Sequence, residues 1–249
     1  MQTIYRIGEG IPSDLAIREV ARELAAGGLA LIPTETVYGL AAAVGPLVDG
    51  RVEMDGSPQA PRVNGAALPA PATGYRRIFT VKRRDLAQTV PWLVADASSL
   101  DSYGIDVDPA TRALAEAFWP GALTLIVRAK PSVPAYMQAA DGTVALRASA
   151  SPAVQALIRA CGCPLACTSA NTHGAPAPAA FADVEEAVLG GVDVALDAGA
   201  TPCRDASSIV SCVDGTFKAI RRGALPIEDL ERVARSALAA QTRRARDTY

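Results

Sequence analysis

Apolar positions along the chain follow two patterns, a helical period and short unbroken runs, and the two alternate almost throughout. Between 13 and 26 the side chains Ile17, Val20, Ala21 and Leu24 recur at i, i+3, i+4 and i+7, with Ser13 placed as cap and Gly27-Gly28 as stop. This predicts a helix buried along one face. Leu29-Ala30-Leu31-Ile32 is a continuous apolar run ending at Pro33, which predicts a short buried strand. Asp108-Pro109 and Ser151-Pro152 each place a polar residue before a proline at a first helical position. They predict helices running to about Phe118 and to Gly162. Ile78-Phe79-Thr80-Val81 reads as a strand leading into Lys82-Arg83-Arg84. A helix is expected at 183–189 and strands at 192–196, 208–213 and 217–220, the last two joined through Asp214-Gly215 in hairpin fashion. A final amphipathic helix at about 227–240 carries Leu230, Val233, Ala234 and Leu238 on one face, and Arg243-Arg244-Ala245-Arg246 reads as its solvated end.

Alternating strands and helices argue for an α/β fold, and the hairpin near 215 makes its sheet mixed. The stretch 46–74 breaks the rhythm. Five prolines and four glycines in 29 residues, with few large apolar side chains, suggest a long surface loop inserted in a single domain. That gives one domain over 1–225 with the 46–74 insertion, followed by a C-terminal helix and basic tail over 226–249.

Composition narrows the class. Half the residues are apolar and 20% are charged, enough to bury a full core. A net charge of −2 argues against a wholesale polyanion binder, though not against a local basic groove. No apolar run approaches the roughly 18 residues of a membrane span, and Met1-Gln2-Thr3-Ile4-Tyr5-Arg6 lacks the build of a signal peptide, so a cytoplasmic protein without membrane contact is expected. Cys161, Cys163, Cys167, Cys203 and Cys212 are an odd number in a long chain, which argues against a disulfide framework. With His173 as the lone histidine they read as core thiols, and no metal site is expected.

The same scarcity of histidine leaves little for a Ser-His-Asp or Cys-His arrangement, and neither a P-loop nor a dinucleotide fingerprint occurs. What remains is hydroxyls, amides and placed cations at strand ends, an inventory suited to binding anions. Pro33-Thr34-Glu35-Thr36-Val37-Tyr38-Gly39-Leu40 clusters hydroxyls beyond a buried strand, as a ligand site or as an ordinary strand-to-helix turn. Lys82 and Arg84, two apart on an extended chain, share a face and could grip a phosphate chain, or form a solvated basic edge. Cys167-Thr168-Ser169-Ala170-Asn171 could cradle phosphate or carboxylate, or simply turn. Arg147 ends the apolar run Thr143-Val144-Ala145-Leu146 and needs an anion, either a ligand carboxylate or an internal ion partner. Ser207-Ser208-Ile209-Val210 faces Arg221 on the partner strand.

Taken in order, these segments resemble the YrdC-like threonylcarbamoyl-AMP synthases, which supply the activated intermediate for the t6A modification of tRNA. The matching pieces are 33–40, the Lys82-x-Arg84 pair, Trp119-Pro120-Gly121-Ala122-Leu123-Thr124, 144–147, Thr168-Ser169-Ala170-Asn171, Ser207-Ser208-Ile209-Val210, and Gly223 after Arg221. The resemblance implies a twisted, mixed, open sheet with flanking helices around a concave, positively lined cavity. It implies the formation of threonylcarbamoyl-AMP and pyrophosphate from L-threonine, bicarbonate or CO2, and ATP. It further implies that Thr36, Arg147, Ser207 and the backbone near Cys167 hold L-threonine. Lys82, Arg84, Thr143, Ser169, Asn171 and Arg221 would hold ATP, with Mg²⁺ bridging its phosphates, and Lys82 and Arg84 would carry the catalysis. Structured RNA or tRNA and other t6A-modification proteins are the further partners implied.

The chain departs from that pattern at several places. Asp85 follows the Lys-x-Arg pair where proline is usual, Gln88-Thr89 replaces Asn-Pro, and Leu93 lies near the place of a threonine-contacting histidine. Ser208 replaces a common threonine and Arg222 a common proline, and only residues 224–249 follow Gly223, so a stand-alone synthase domain is expected. Asp85 and Leu93 motivate the alternative of a catalytically weak paralogue that binds RNA or nucleotide.

Overall fold

Ser13 accepts a hydrogen bond from the Ala16 backbone N–H and opens α1 (Asp14–Ala25), which buries Ile17, Val20, Ala21 and Leu24. The computed structural model describes residues 3–8 and 12–247, with side chains as far as 240, so the run Arg243-Arg244-Ala245-Arg246 lies outside the described side chains. Before α1 comes β1 (Thr3–Arg6), and after it β2 (Ala30–Pro33), β3 (Tyr38–Ala43), α2 (Gly45–Val48), β4 (Arg62–Val63), β5 (Ala66–Ala67) and α3 (Gly74–Lys82). Then follow β6 (Trp92–Val94), α4 (Ser99–Tyr103), β7 (Gly104–Ile105), α5 (Pro109–Phe118), β8 (Leu123–Ala129), β9 (Thr143–Ala148) and α6 (Pro152–Cys161). The chain continues through β10 (Leu165–Ser169), α7 (Glu186–Leu189), β11 (Val194–Asp197), β12 (Ser208–Ser211), β13 (Lys218–Arg221) and α8 (Ile227–Asp247).

Eleven of these strands form one mixed sheet in the order β1-β11-β2-β3-β10-β6-β9-β8-β12-β13, with β7 added on β8, while β4 and β5 pair separately. The pairs β1/β11, β11/β2, β6/β9 and β8/β12 are parallel and the rest antiparallel. Side-chain alternation then divides the core into two layers. Ala30, Ile32, Ala41, Leu93, Leu165 and Leu196 pack with α1 and α6 on one face. Leu31, Leu40, Trp92, Leu125, Leu146 and Val210 pack with Ile78 and Phe79 of α3, Leu114 of α5 and Leu230 of α8 on the other. Helices α1 and α6 rest on β2, β3, β6 and β11. Beyond β6 the same face carries Ile126, Ala145 and Ile209, all only half-buried. The candidate site lies at that boundary.

Three expectations are corrected here. The segment 78–81 is not a strand but the end of α3. Thr73 caps the helix by accepting from the Arg76 N–H, and Tyr75, Ile78, Phe79 and Lys82 form its buried face. Those positions have helical spacing, whereas four apolar residues alone fit a strand equally well. The stretch 46–74 is more than a surface loop, because Leu47, Val63 and Leu68 enter the main core. Asp55 pairs with Arg76 at 3.6 Å, and the Asn64 amide donates to the carbonyls of Ala135 and Gln138 at 3.0 and 2.9 Å. A few apolar anchors suffice because the rest of the domain supplies the surface they bury. The helix expected at 183–189 is reduced to a 3₁₀ turn, Phe181–Asp183, and the short α7.

Candidate functional site

The turn between β2 and β3 leads to a second strand rather than to a helix. Thr34 organises it: its hydroxyl donates to the Val37 carbonyl at 2.7 Å and accepts the backbone N–H groups of Thr36 and Val37 at 3.1 Å. With that proton committed, the Thr36 hydroxyl donates to Thr34 Oγ1 at 2.7 Å and accepts from Arg147 Nη1 at 3.0 Å. Gly39 sits where a Cβ would lie 2.5 Å from Cys167 Sγ, so β3 and β10 can approach only without a side chain there.

Sheet register brings the remaining parts together. Leu93, at the edge of the area that α1 and α6 cover, lies opposite Arg147, and Ile209 lies opposite Arg221 beyond it on the same face. Arg147 Nε donates to the Gly121 carbonyl at 3.0 Å, and the Gly121 N–H returns to Ala148 O at 2.7 Å, so the Trp-Pro-Gly segment clamps the arginine from the β8 side. Arg221 donates through Nε and Nη2 to the Ser207 carbonyl at 3.0 and 2.8 Å, and through Nη2 to its hydroxyl at 3.0 Å. Thr124 Oγ1 is 2.8 Å from the same hydroxyl. Gly223 permits this packing, since a Cβ there would meet Ala206 O at 2.2 Å.

Lys82 and Arg84 meet the end of β10, beside these residues, by a route other than the shared strand face expected. Lys82 ends α3, Arg83 takes the left-handed capping conformation (φ 51°, ψ 48°), and the chain turns sharply between them. Lys82 Nζ donates to the carbonyls of Ser169 at 2.5 Å and Asn171 at 2.7 Å, and to Asn171 Oδ1 at 3.3 Å. Burial, and then the nearby Arg84 charge, lower its ammonium to about 8. Arg84 donates to Thr168 Oγ1 at 3.2 Å, the Thr89 carbonyl at 2.6 Å and Gln88 Oε1 at 2.7 Å. The carboxylate of Asp85 accepts the Ala87 N–H at 2.8 Å and closes its own turn.

Thr36, Leu93, Arg147, Cys167, Ser169, Ser207 and Arg221 line one cleft of about 70 Å³ that opens to solvent. Lys82, Arg84 and Asn171 lie outside that lining and brace the exit of β10. The Asn171 amide is engaged there, donating to the carbonyls of Thr172 at 2.9 Å and Ala175 at 2.7 Å. Thr143 stands at the far end of β9, its hydroxyl bound to Asp141 at 2.6 Å, and is not brought to the cleft. Burial pushes the Cys167 thiol up to about 12, so it stays protonated. The core-thiol reading holds for Cys167 and Cys212, Cys161 and Cys163 pack half-buried against the core, and only the exposed Cys203 departs from it, its segment following the surface between Thr201 and Arg204.

Sequence patterning assigned no role to Glu35. It is half-buried, with Oε1 2.7 Å from Arg147 Nη2 and Oε2 bound by the Ser149 hydroxyl. Burial alone would raise its carboxyl, but Arg147 and Ser149 outweigh that and hold it below the usual carboxylate range. A glutamate between two threonines looks like any turn residue. The signal available was that a charge in so apolar a neighbourhood needs a partner. Thr124 and Thr168 were likewise within recognised segments without a role.

Residues 66–223 match a family model, Sua5/YciO/YrdC, described as telomere recombination. The threonylcarbamoyl-AMP synthase of Pyrococcus abyssi is 29% identical over 94% of this chain and 61% of its own length. That of Bacillus subtilis is 30% identical over 89% and 57%, so the chain spans about three-fifths of the length of these two relatives. That of Xanthomonas oryzae is 30% identical over 78% of this chain and 95% of its own length. Among solved structures, P. abyssi Sua5 complexed with L-threonine superposes with a TM-score of 0.78 at 28% identity, covering 93% of this chain and 61% of that one. Escherichia coli YciO shares the fold, with a TM-score of 0.73 at 19% identity over 92% of this chain and 98% of its own.

Proposed function

Because the chain belongs to the Sua5/YciO/YrdC family, we propose that its cleft joins L-threonine, bicarbonate or CO2, and ATP into threonylcarbamoyl-AMP, with release of pyrophosphate. The observation that carries this reading is Arg147: a buried guanidinium in the lining of an open cleft, held by Glu35 through Nη2, with the hydroxyls of Thr36 and Ser207 in the same lining. Such a cation suits a carboxylate. Thr36 and Ser207 flank it, and Cys167 and Leu93 form the wall. Lys82, Arg84, Ser169, Asn171 and Arg221 then hold the nucleotide and its phosphates along the exit of β10 and the edge of β13. Thr143 belongs to the nucleotide end only if the ligand extends along β9.

The chemistry asks for positioning and charge more than for a base. The threonine nitrogen bonds to the carbon of CO2 and loses a proton, giving a carbamate. A carbamate oxygen then bonds to the α-phosphorus as the bond from that phosphorus to the bridging oxygen breaks, and the electron pair leaves with pyrophosphate. Both partners are anionic, so the cations bring them together and stabilise the charge of the leaving group. Among the described residues no group of three or more His, Cys, Asp or Glu side chains is placed to ligate a metal, so Mg²⁺ would arrive on the triphosphate and supply charge neutralisation there. No helix among the described residues is long and apolar enough to cross a membrane. The reading places the chain in the cytoplasm, over 1–225 as the catalytic unit, feeding the proteins that modify tRNA. Incubation with ¹³C-bicarbonate, ATP and L-threonine tests it: mass spectrometry should find threonylcarbamoyl-AMP carrying the label. An unlabelled product, or none from protein that binds both ATP and threonine, contradicts it.

A further inference from the structure

Lys82 is held at both of its ends by three consecutive residues. Its ammonium donates to the Asn171 carbonyl at 2.7 Å, and its own carbonyl accepts the His173 N–H at 2.8 Å. Thr172 lies between those two contacts, so the grip on Lys82 follows wherever its backbone goes. Glu185 fixes Thr172 from outside. One carboxylate oxygen accepts the Thr172 N–H at 2.8 Å, and the other accepts the Thr172 hydroxyl at 2.6 Å. Those two bonds, with Arg83 and Lys82 adding to them, hold the Glu185 carboxyl below its usual range, so it is charged at neutral pH. The side chain is exposed, but the chain that carries it is anchored. Glu185 starts α7, which packs on α3 and is set into the core by Val184 and Val188.

A solvated carboxylate of this kind contributes little to stability. Its place in the fold matters more, because both of its bonds go to the residue that joins the two contacts on Lys82. Its charge acts on the same group. The titratable and charged groups that bear on the Lys82 ammonium are Arg84 from the same turn, the Cys167 thiol from β10 and Glu185 from α7. Burial and Arg84 favour the neutral amine, and Glu185 is the carboxylate among these groups that favours the charged form. We infer that Glu185 is a positioning residue for the nucleotide end: it holds Thr172, and through it Asn171 and Lys82, in the arrangement that receives the ATP phosphates. This rests on the reading of Lys82 and Asn171 as ATP-binding residues.

Titration calorimetry with ATP and with L-threonine, repeated as pH rises through the Lys82 transition at about 8, tests the inference. Thr172→Val, which removes the hydroxyl and keeps the Glu185 charge, should weaken ATP about threefold or more and leave L-threonine unchanged. Thr172→Ser, which keeps the hydroxyl, should bind ATP as the wild type does. Glu185→Gln should weaken ATP by at least as much. It should also move the loss of ATP affinity to lower pH, because the ammonium loses a favourable charge. A merely stabilising contact would weaken both ligands together and leave the pH dependence where it was. Folded Thr172→Val and Glu185→Gln proteins with the wild-type ATP affinity and pH dependence overturn the inference. So does tighter ATP binding by Glu185→Gln, the result expected if the carboxylate acted on the triphosphate by repulsion alone. Wild type that binds L-threonine but no ATP overturns the reading of the nucleotide end on which the inference rests.

Discussion

Lys82 combines an observed structural role with a proposed chemical one. Its ammonium holds the exit of β10 through two carbonyls and an amide oxygen, and burial and Arg84 set it to titrate at about 8. The folded value lies below the ordinary one for lysine, so the charge is present at pH 7 and is lost as pH rises through about 8. The stability contribution has the opposite sign: the folded state favours the neutral amine, so this group contributes most above its unfolded value and least below its folded one. The KM for ATP should therefore rise between pH 7 and 9, and Lys82→Arg, which stays charged throughout, should flatten that rise. Lys82→Ala or Arg84→Ala should lower pyrophosphate release by about two orders of magnitude or more, with wild-type-like turnover in both contradicting their assignment. At this scale the cations and hydroxyls were legible in the sequence because they follow apolar runs, although the run before Lys82 and Arg84 ends a helix rather than a strand. Glu35 was not, because its partner is distant in sequence and only the fold brings Arg147 beside it.

At the scale of elements, close approach decides what the strands may carry. Gly39→Ala would place a methyl group against Cys167 Sγ and should cost about 1–3 kcal/mol in chemical denaturation. Adding Cys167→Ala should recover much of that, since the obstruction is a side chain. Gly223→Ala meets backbone atoms of Ala206 and Ser207, and no neighbouring substitution should rescue it. Helices with clear caps could be read from sequence, as at Ser13 and Asp108, where the side-chain oxygens accept the expected backbone N–H groups. The end of α3 could not be read from Ile78-Phe79-Thr80-Val81 alone, because four apolar residues carry no period. Its identity lies in Tyr75 and Lys82 on either side.

The whole molecule is a sheet covered fully on one face and partly on the other, and the uncovered part carries the candidate site. The α/β class and mixed sheet were legible from alternation and the terminal hairpin. The strand order was not, because β10 pairs with both β3 and β6 through contacts remote in sequence. The 46–74 stretch looked peripheral because so few of its side chains are apolar, yet Leu68 is fully buried. Leu68→Ala, and Leu230→Ala on α8 where it packs along α5, should each cost about 2–5 kcal/mol in thermal or chemical unfolding. A near-neutral Leu68→Ala would return that segment to the surface. The most direct measurement of the central claim is pyrophosphate release from the purified protein with ATP and Mg²⁺, adding L-threonine and bicarbonate separately and together. Release only when both are present is the result expected if the cleft at Arg147 works together with Lys82 and Arg84 at the exit of β10. Release indifferent to threonine, or no release from folded protein that binds ATP, would contradict it.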